Sequence, residues 1–377
     1  MKYMGSKTCM LKNGLGSLIL ENAPKHKRIV DLFCGASSIS WFAAENTDRR
    51  VLAVDLQSYA IQLAKSILMR NSPADFSKLQ HSWLKTSYDS IIRSKFWKKA
   101  VALQNSEPNQ FNYIRKSREL CRESSGMGPV WNSYGGYYFS PKQAIIFDYL
   151  IANLPEKVVE KSVCLAAILS TAVKCAASPG HTAQPFSPTK TAIRFILDSW
   201  RQNPLEICEK YLIKICRRFA QVIGEAYQAN AVDFASNLTS SDLVIIDPPY
   251  SGVQYSRFYH VLETMSNGKC SPVSGSGRYP PIAERPQSDF SNKGTSKRAL
   301  ITLLSKLGEK GSTVIFTFPE KECSNGLSGK FIREVAQDWF SIKEKVLISK
   351  FSTLGGNNNQ RASRINSPEL LMLMTPK

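Results

Sequence analysis

The sequence lacks the residue patterns that identify disulfide scaffolds and zinc sites. Its nine cysteines include no Cys-x-x-Cys pair, and its four histidines, His26, His81, His181 and His260, lie far apart. Disulfide frameworks use paired cysteines, and zinc sites use closely spaced cysteine or histidine ligands. We therefore expect reduced thiols, a cytoplasmic location and no bound metal.

Long apolar stretches are missing as well. No run reaches the roughly 18 apolar residues that a membrane span needs. Residues 1–5 contain neither an apolar segment nor a small-residue cleavage site. The sequence therefore predicts no membrane span and no secretory signal. It also contains no internal repeat and no low-complexity tract.

Acidic residues are scarce relative to basic ones. The 377 residues include 49 Lys and Arg but 30 Asp and Glu, which gives a formal net charge of +19. A field of this sign attracts polyanions, so nucleic acid is the expected partner. An anionic membrane surface is the alternative, and it is disfavoured because no basic amphipathic helix flanked by aromatic anchors is evident.

Apolar runs separated by turns and helical patterns predict an α/β fold. Residues 28–34 are an apolar run followed by small residues and a helical pattern, and residues 51–55 are a second run that ends in an acid. Strand, turn, helix and strand in this order are typical of a parallel βαβ unit. Further strands are predicted, the last two as an antiparallel edge: 242–247, 312–318, 344–349 and 369–374.

The pattern changes between about 72 and 228. Aromatic and basic residues are interleaved there, and helices are predicted over 155–177 and 204–228. We interpret 72–228 as a largely helical insertion carried by a sheet domain that comprises 1–71 and 229–377. Two loops are predicted from their content of Gly, Ser, Asn or Pro: 124–139 and 265–296.

Two signals of cofactor binding follow the first two strands. Asp31-Leu32-Phe33-Cys34-Gly35-Ala36 combines an acid at the end of a strand with a glycine turn into a helix, where a backbone can approach a ligand closely. Asp55 ends the next strand, where a carboxylate can accept hydrogen bonds from both ribose hydroxyls of a nucleoside. The alternatives are a turn without a ligand and a helix N-cap. Because the three-glycine pyrophosphate fingerprint is missing, a nucleoside without pyrophosphate fits better than NAD.

The strongest signal is Asp247-Pro248-Pro249-Tyr250, directly after an apolar strand. The prolines fix the backbone and have no N–H, so carbonyl oxygens face outward. The Asp247 carboxylate and a proline carbonyl can then accept both hydrogens of one amino group, and Tyr250 offers a face for a base. The alternative is a strand that ends in a turn with a buried Asp.

Gly5-Ser6-Lys7-Thr8 resembles a phosphate loop superficially, but no preceding glycine or strand supports an ATP-using enzyme.

Taken together, these motifs resemble the Dam-like, D12 class of adenine-specific DNA N6-methyltransferases, over about 1–60 and 228–375. The resemblance implies a Rossmann-like S-adenosylmethionine-dependent methyltransferase sheet with a largely helical inserted target-recognition domain. It implies Asp247, Pro248, Pro249 and Tyr250 as catalytic residues. The implied cofactor-binding residues are Tyr3, Met4, Gly5, Lys7, Asp31, Phe33, Cys34, Gly35, Ala36, Asp55, Asp233 and Phe234. One departure is Ala36-Ser37-Ser38, where the family usually has a second glycine.

The resemblance also implies the activity. S-adenosylmethionine would supply a methyl group to N6 of an adenine that is flipped out of double-stranded DNA. In this interpretation 1–71 and 229–377 form the catalytic domain, 72–228 recognises DNA, and restriction or defence proteins are the expected partners. The expected DNA-binding residues are Lys98, Lys99, Arg115, Lys116, Arg118, Tyr255 and Arg257.

Three other functions stay open at this point. Methylation of cytosine N4 uses the same chemistry, and an RNA amino-methyltransferase would share both the base flipping and the positive charge. A catalytically silent DNA-binding protein could retain the same fold, although the complete Asp247–Tyr250 motif argues against it.

Overall fold

The computed structural model describes residues 7–123, 127–351 and 365–377. The chain divides into two compact units. The sheet unit contains Gly5–Ser72, Phe219–Tyr255 and Pro286–Lys377; the helical unit contains Pro73–Arg218 and Ser256–Arg285. Compared with the predicted boundaries, residues 219–228 lie in the sheet unit and residues 256–285 lie in the helical unit.

A single sheet of seven strands organises the sheet unit. The strands are β1 Arg28–Asp31, β2 Arg50–Asp55, β3 Glu225–Gln228, β4 Asp242–Ile246, β5 Thr313–Pro319, β6 Phe340–Phe351 and β7 Ile365–Pro376. Their order is β3-β2-β1-β4-β5-β7-β6, and β7 runs antiparallel to both of its neighbours while the other pairs are parallel. The predicted α/β fold and its antiparallel edge are confirmed.

The helices are numbered along the chain. Those of the sheet unit are α1 Thr8–Met10, α2 Gly16–Asn22, α3 Ser38–Asn46, α4 Ser58–Leu68, α14 Ala231–Phe234, α16 Ser296–Glu309 and α17 Gly329–Ala336. Those of the helical unit are α5 Phe76–Leu79, α6 Thr86–Arg93, α7 Lys95–Ser106, α8 Gln110–Glu123, α9 Pro129–Tyr134, α10 Pro141–Ala152, α11 Val158–Cys175, α12 Ile193–Trp200 and α13 Pro204–Cys216. α15, Tyr255–Asn267, begins at the last residue of a sheet-unit segment and continues in the helical unit. Every helix among the described residues is too short or too polar to cross a membrane.

The strand order reverses at β1 and β4. From these two adjacent strands the sheet grows outward in both directions, and such a reversal leaves a crevice at the carboxyl ends of the strands. β4 is buried along its whole length, and the same core contains Leu300, Leu303 and Leu307 of α16. Burial on both faces explains why β4 reads as an uninterrupted apolar run rather than an alternating one.

Three local predictions were wrong. The helix predicted over 204–228 ends at Cys216, and β3 follows at Glu225, paired in parallel with β2. β3 is a short, half-exposed edge strand, so it lacks the apolar pattern that identifies buried strands. The loop predicted at 124–139 contains α9 within its described part, because Gly128 and Pro129 begin a helix. The loop predicted at 265–296 contains the end of α15 and two short 3-10 turns.

Candidate active site

Asp247 immediately follows β4, and the described residues contact its carboxylate through Oδ1 alone. Oδ1 lies 3.1 Å from Lys7 Nζ and accepts a hydrogen bond of 2.9 Å from Thr317 Oγ1. Among the described residues, Oδ2 accepts no hydrogen bond. Burial raises the pKa of Asp247, and the positive charge of Lys7 and the Thr317 hydroxyl oppose that rise. The carboxylate is therefore held in place on one side while its other oxygen remains available to a ligand.

Lys7 joins this carboxylate to a second one. Its Nζ lies 3.4 Å from Glu369 Oε1, and both side chains are almost fully buried, at 3% and 5% exposure. Burial disfavours the charged form of Lys7, but Asp247 and Glu369 outweigh it and hold the lysine pKa above its usual value. Lys7, predicted to contact the cofactor, thus pairs with Asp247. Lys7 therefore bridges the carboxylates of Asp247 and Glu369.

The backbone of the motif is fixed by a buried amide that the sequence did not reveal. Asn325 Nδ2 donates to the carbonyl of Pro249 at 2.7 Å and to that of Phe290 at 2.9 Å. Asn325 is fully buried. Since Pro249 O already has a donor, the carbonyl of Pro248 is the one we associate with a ligand. Burial raises the pKa of Tyr250 to about 12, so this side chain stays neutral.

The glycine turn after β1 is tied to the end of β2. Gly35 N donates to Asp55 Oδ2 at 2.9 Å, Gln57 N donates to Asp55 Oδ1 at 2.9 Å, and Cys34 N donates to the carbonyl of Val54 at 3.0 Å. The turn needs left-handed backbone at Gly35, with φ of 46°, and at Ser37, with φ of 59°. Asp55 is half-buried, and each of its oxygens retains a lone pair for a further donor.

Asp31 is the most unusual carboxylate of the site. It ends β1, and its Oδ2 accepts a short hydrogen bond of 2.6 Å from Ser40 Oγ. Oδ1 is buried and has no hydrogen-bond partner among the described residues. Burial raises the pKa of Asp31 to about 7, and the negative charge of Asp247 adds to that rise. A buried acceptor without a donor is costly in a folded protein, which marks this atom as a contact for a ligand.

The other predicted cofactor residues lie nearby or outside the described chain. Phe33 packs edge-on against Phe290, with ring centroids 5.0 Å apart. Phe234 lies on α14 beside Asp233, and its ring is 5.2 Å from that of Tyr227 at the sheet edge. Cys34 is buried, and Ala36 follows Gly35 in the turn. Tyr3, Met4 and Gly5 lie outside the described residues.

The predicted DNA-binding residues fall on three helices. Lys98 and Lys99 are exposed on α7, and Arg115, Lys116 and Arg118 lie on α8. Arg115 pairs with Glu119 at 2.8 Å and Lys116 with Glu107 at 2.5 Å, so two of these charges are compensated. Tyr255 and Arg257 both lie at the start of α15. The Tyr255 ring is edge-on to that of Tyr250, and Arg257 Nε donates to the Tyr279 hydroxyl at 3.0 Å.

Potential metal ligands do not cluster in the described part of the chain. Within residues 7–123, 127–351 and 365–377, no group of three or more His, Cys, Asp or Glu side chains is arranged to hold an ion. The nine cysteines, all of which lie in the described residues, form no disulfide bond.

Comparison with known proteins gives two matches. The family model described as D12 class N6 adenine-specific DNA methyltransferase matches residues 3–295. Modification methylase LlaI of Lactococcus lactis subsp. lactis is 24% identical over 302 residues, which cover 78% of this chain and 42% of that protein. The chain therefore spans less than half the length of this relative. Thr317, Asn325 and Glu369 lie beyond the segment that the family model matches.

Proposed function

The chain belongs to the D12 class N6 adenine-specific DNA methyltransferase family, and on this premise we propose that it transfers a methyl group from S-adenosylmethionine to N6 of adenine in DNA. One observation carries the proposal. Asp247 is fixed through Oδ1 by Lys7 and Thr317, while Oδ2 accepts no hydrogen bond from the described residues. It lies at the end of β4, where the sheet order reverses and ligands bind.

The residues at the ends of β1 and β2 fit S-adenosylmethionine. Asp55 would accept from the ribose hydroxyls, because two backbone N–H groups already orient its carboxylate. Asp31 Oδ1, buried without a donor, would accept from the cationic amino group of the methionine part. Phe33 and Phe234 offer apolar surface for the rest of the molecule. When bound, this cofactor supplies a methyl group on a positively charged sulfur.

The chain's own residues would then position the attacking amine. Asp247 Oδ2 and the carbonyl of Pro248 accept the two amino hydrogens of a flipped adenine, whose ring stacks on Tyr250. This geometry directs the nitrogen lone pair away from the two acceptors. As the N–C bond forms and the methyl–sulfur bond breaks, the nitrogen would become positively charged, and the negative charge of Asp247 would stabilise it until one amino proton is lost to solvent.

The first test is Asp247→Ala with tritiated S-adenosylmethionine and unmethylated DNA. We expect loss of labelled N6-methyladenine while cofactor binding and thermal unfolding are retained. The matched control is Asp242→Asn, because Asp242 is a buried carboxylate at the opposite end of β4, paired with Arg28 at 2.6 Å. Its folded fraction should methylate normally. Full activity of Asp247→Ala would refute the assignment.

The same assay separates the alternatives. Label in N4-methylcytosine would change the target base, and preferential labelling of structured RNA over duplex DNA would change the substrate. DNA binding without any cofactor binding would indicate a silent DNA-binding protein. Restriction or defence partners and a cytoplasmic location are part of the proposal. The restriction partners are supported by the relative named a modification methylase.

A further inference from the structure

Two arginines of the helical unit converge on one tyrosine ring. The guanidinium carbon of Arg118 lies 4.4 Å from the centroid of Tyr137, and that of Arg278 lies 4.1 Å from it. The two positive charges are therefore no farther apart than the sum of these distances, about 8.5 Å. They come from positions 160 residues apart in the sequence.

Neither charge is neutralised by the described residues. Arg118 Nε donates to the carbonyl of Gly136 at 3.0 Å, and Arg278 Nε donates to that of Ser133, but neither side chain pairs with a carboxylate. Burial lowers the pKa of Arg118, and the charge of Arg278 lowers it further. Like charges held together without a counter-ion repel each other, so an anion bound between them would relieve this repulsion.

The backbone at Arg278 is strained in a way that favours the same interpretation. Arg278 has φ of 52°, in the left-handed region that glycine adopts at little cost. It closes a turn in which its N–H donates to Gly275 O at 3.0 Å, between the bridged residues Ser274 and Tyr279. An arginine in this position places a guanidinium on Tyr137, and strained non-glycine residues cluster at functional sites.

The surroundings extend the positive surface. A groove of about 260 Å³ lies along α8. The residues that line it include Phe111, Arg115, Arg118, Glu119, Arg122 and Tyr137. Arg115 is compensated by Glu119, whereas Arg122 is exposed and only loosely paired with Glu123 at 3.8 Å. Aromatic side chains interleaved with arginines, as Phe111 and Tyr137 are here, are typical of surfaces that bind nucleic acid.

We propose that Arg118 and Arg278, stacked on Tyr137, form a clamp for one phosphate of the DNA substrate. Guanidinium groups bind phosphate oxygens through paired N–H donors, and the stacking and carbonyl contacts fix both groups before DNA arrives. The clamp rests on the proposed function in that DNA is the anion. It adds the segment around 278, outside the predicted recognition region 72–228, to the DNA-binding surface.

The test measures binding of the full-length chain to a fluorescent DNA duplex by anisotropy, between about 50 and 200 mM salt. Arg118→Gln and Arg278→Gln should each weaken binding roughly tenfold at the lower salt concentration. The slope of log affinity against log salt should become shallower by about one. The double variant should lose little more than either single variant, because both groups hold one phosphate. In DNA methylation, KM for DNA should rise while kcat at saturating DNA is kept.

Controls separate the clamp from general charge and from misfolding. Arg201→Gln removes an arginine of the same unit that is 71% exposed and paired with Asp198, whereas Arg118 and Arg278 are only partly exposed, and it should leave the slope unchanged. Arg278→Gly keeps the left-handed turn and should fold, yet bind DNA as weakly as Arg278→Gln. An unchanged slope in both clamp variants would overturn the clamp while leaving the proposed function intact. If the wild-type protein methylates no DNA but its DNA binding depends on Arg118 and Arg278, the proposed function is overturned and the clamp stands. Tighter clamp-dependent binding to an RNA duplex than to DNA would overturn the DNA assignment.

Discussion

Removing the charge of Lys7 should move the acid limb of catalysis to higher pH. Asp247 must be ionised to accept from the adenine amine, so activity falls as pH drops through its pKa. Burial raises that pKa, and Lys7 opposes the rise. Lys7→Met retains most of the buried stem but removes the charge that opposes the rise in the pKa of Asp247.

The size of the shift follows from the distances. Unit charges 3.1 Å apart, as for Lys7 Nζ and Asp247 Oδ1, attract by about 5 kcal/mol at an effective dielectric constant of about 20. Lys7 shares its charge with Glu369 at 3.4 Å, so Asp247 receives part of this effect. An opposite charge this close lowers a carboxyl pKa by about 1 to 3 units. We therefore expect the acid limb of kcat/KM to rise by about 1 to 3 pH units in Lys7→Met.

The assay is kcat/KM for DNA methylation between about pH 5 and pH 9, with cofactor saturating. Lys7→Arg keeps the charge and should keep the acid limb, even if kcat falls. Glu369→Gln should move the limb in the opposite direction, to lower pH, because Lys7 then pairs with Asp247 alone. Asp242→Asn, at the other end of β4, should not move it. An acid limb that stays in place in Lys7→Met, or moves equally in Lys7→Arg, would refute the reasoning.

Three further predictions concern the same site. Asp31 has a folded pKa of about 7, above its usual value of 3.8, so between these pH values the folded state keeps a proton that the unfolded state loses, and the free energy of unfolding falls as pH rises from about 4 to 7. Asp31→Asn should reduce this fall in urea titrations, although Asp148, whose pKa burial also raises to about 7, still contributes to it. The same variant should weaken cofactor binding in calorimetry. Asn325→Ala should lower the free energy of unfolding by about 2 to 4 kcal/mol, because it leaves the carbonyls of Pro249 and Phe290 without donors, and should lower kcat more than cofactor affinity. Ser37→Gly should raise the free energy of unfolding by about 1 kcal/mol, because glycine adopts the left-handed backbone without a steric cost; a decrease would mean that the Ser37 hydroxyl bond to Ala60 O matters more.

The parts of the site that the sequence predicted are those whose chemistry lies within a few residues. Asp31 and Gly35 belong to one turn, and Asp247–Tyr250 is a single tetrapeptide after an apolar strand. Asp55 required only the assumption that β2 lies beside β1, which the βαβ pattern supplies. In each case local residues determine both the backbone path and the functional group, so one sequence is sufficient to predict them.

The supporting residues could not be predicted, because they become neighbours only through the sheet order. Thr317 reaches Asp247 from the adjacent strand β5, and Asn325 reaches Pro249 across 76 residues. Nothing local distinguishes this threonine or this asparagine from others in the chain. Arg118 and Arg278 likewise become neighbours only in the folded chain. The boundary predicted at 228 placed them in different domains.

Glu369 shows the physical reason most directly. In parallel sheets, functional groups are sought at the carboxyl ends of strands, because these ends share one edge. β7 runs antiparallel, so it is the early part of the strand that lies at this edge, where Glu369 pairs with Pro319 at the carboxyl end of β5. An acid near the start of a final apolar strand therefore reads as a strand boundary, although the reversed direction brings it within 3.4 Å of Lys7, 362 residues away. The chain direction of one strand thus decides whether Lys7 has one counter-charge or two.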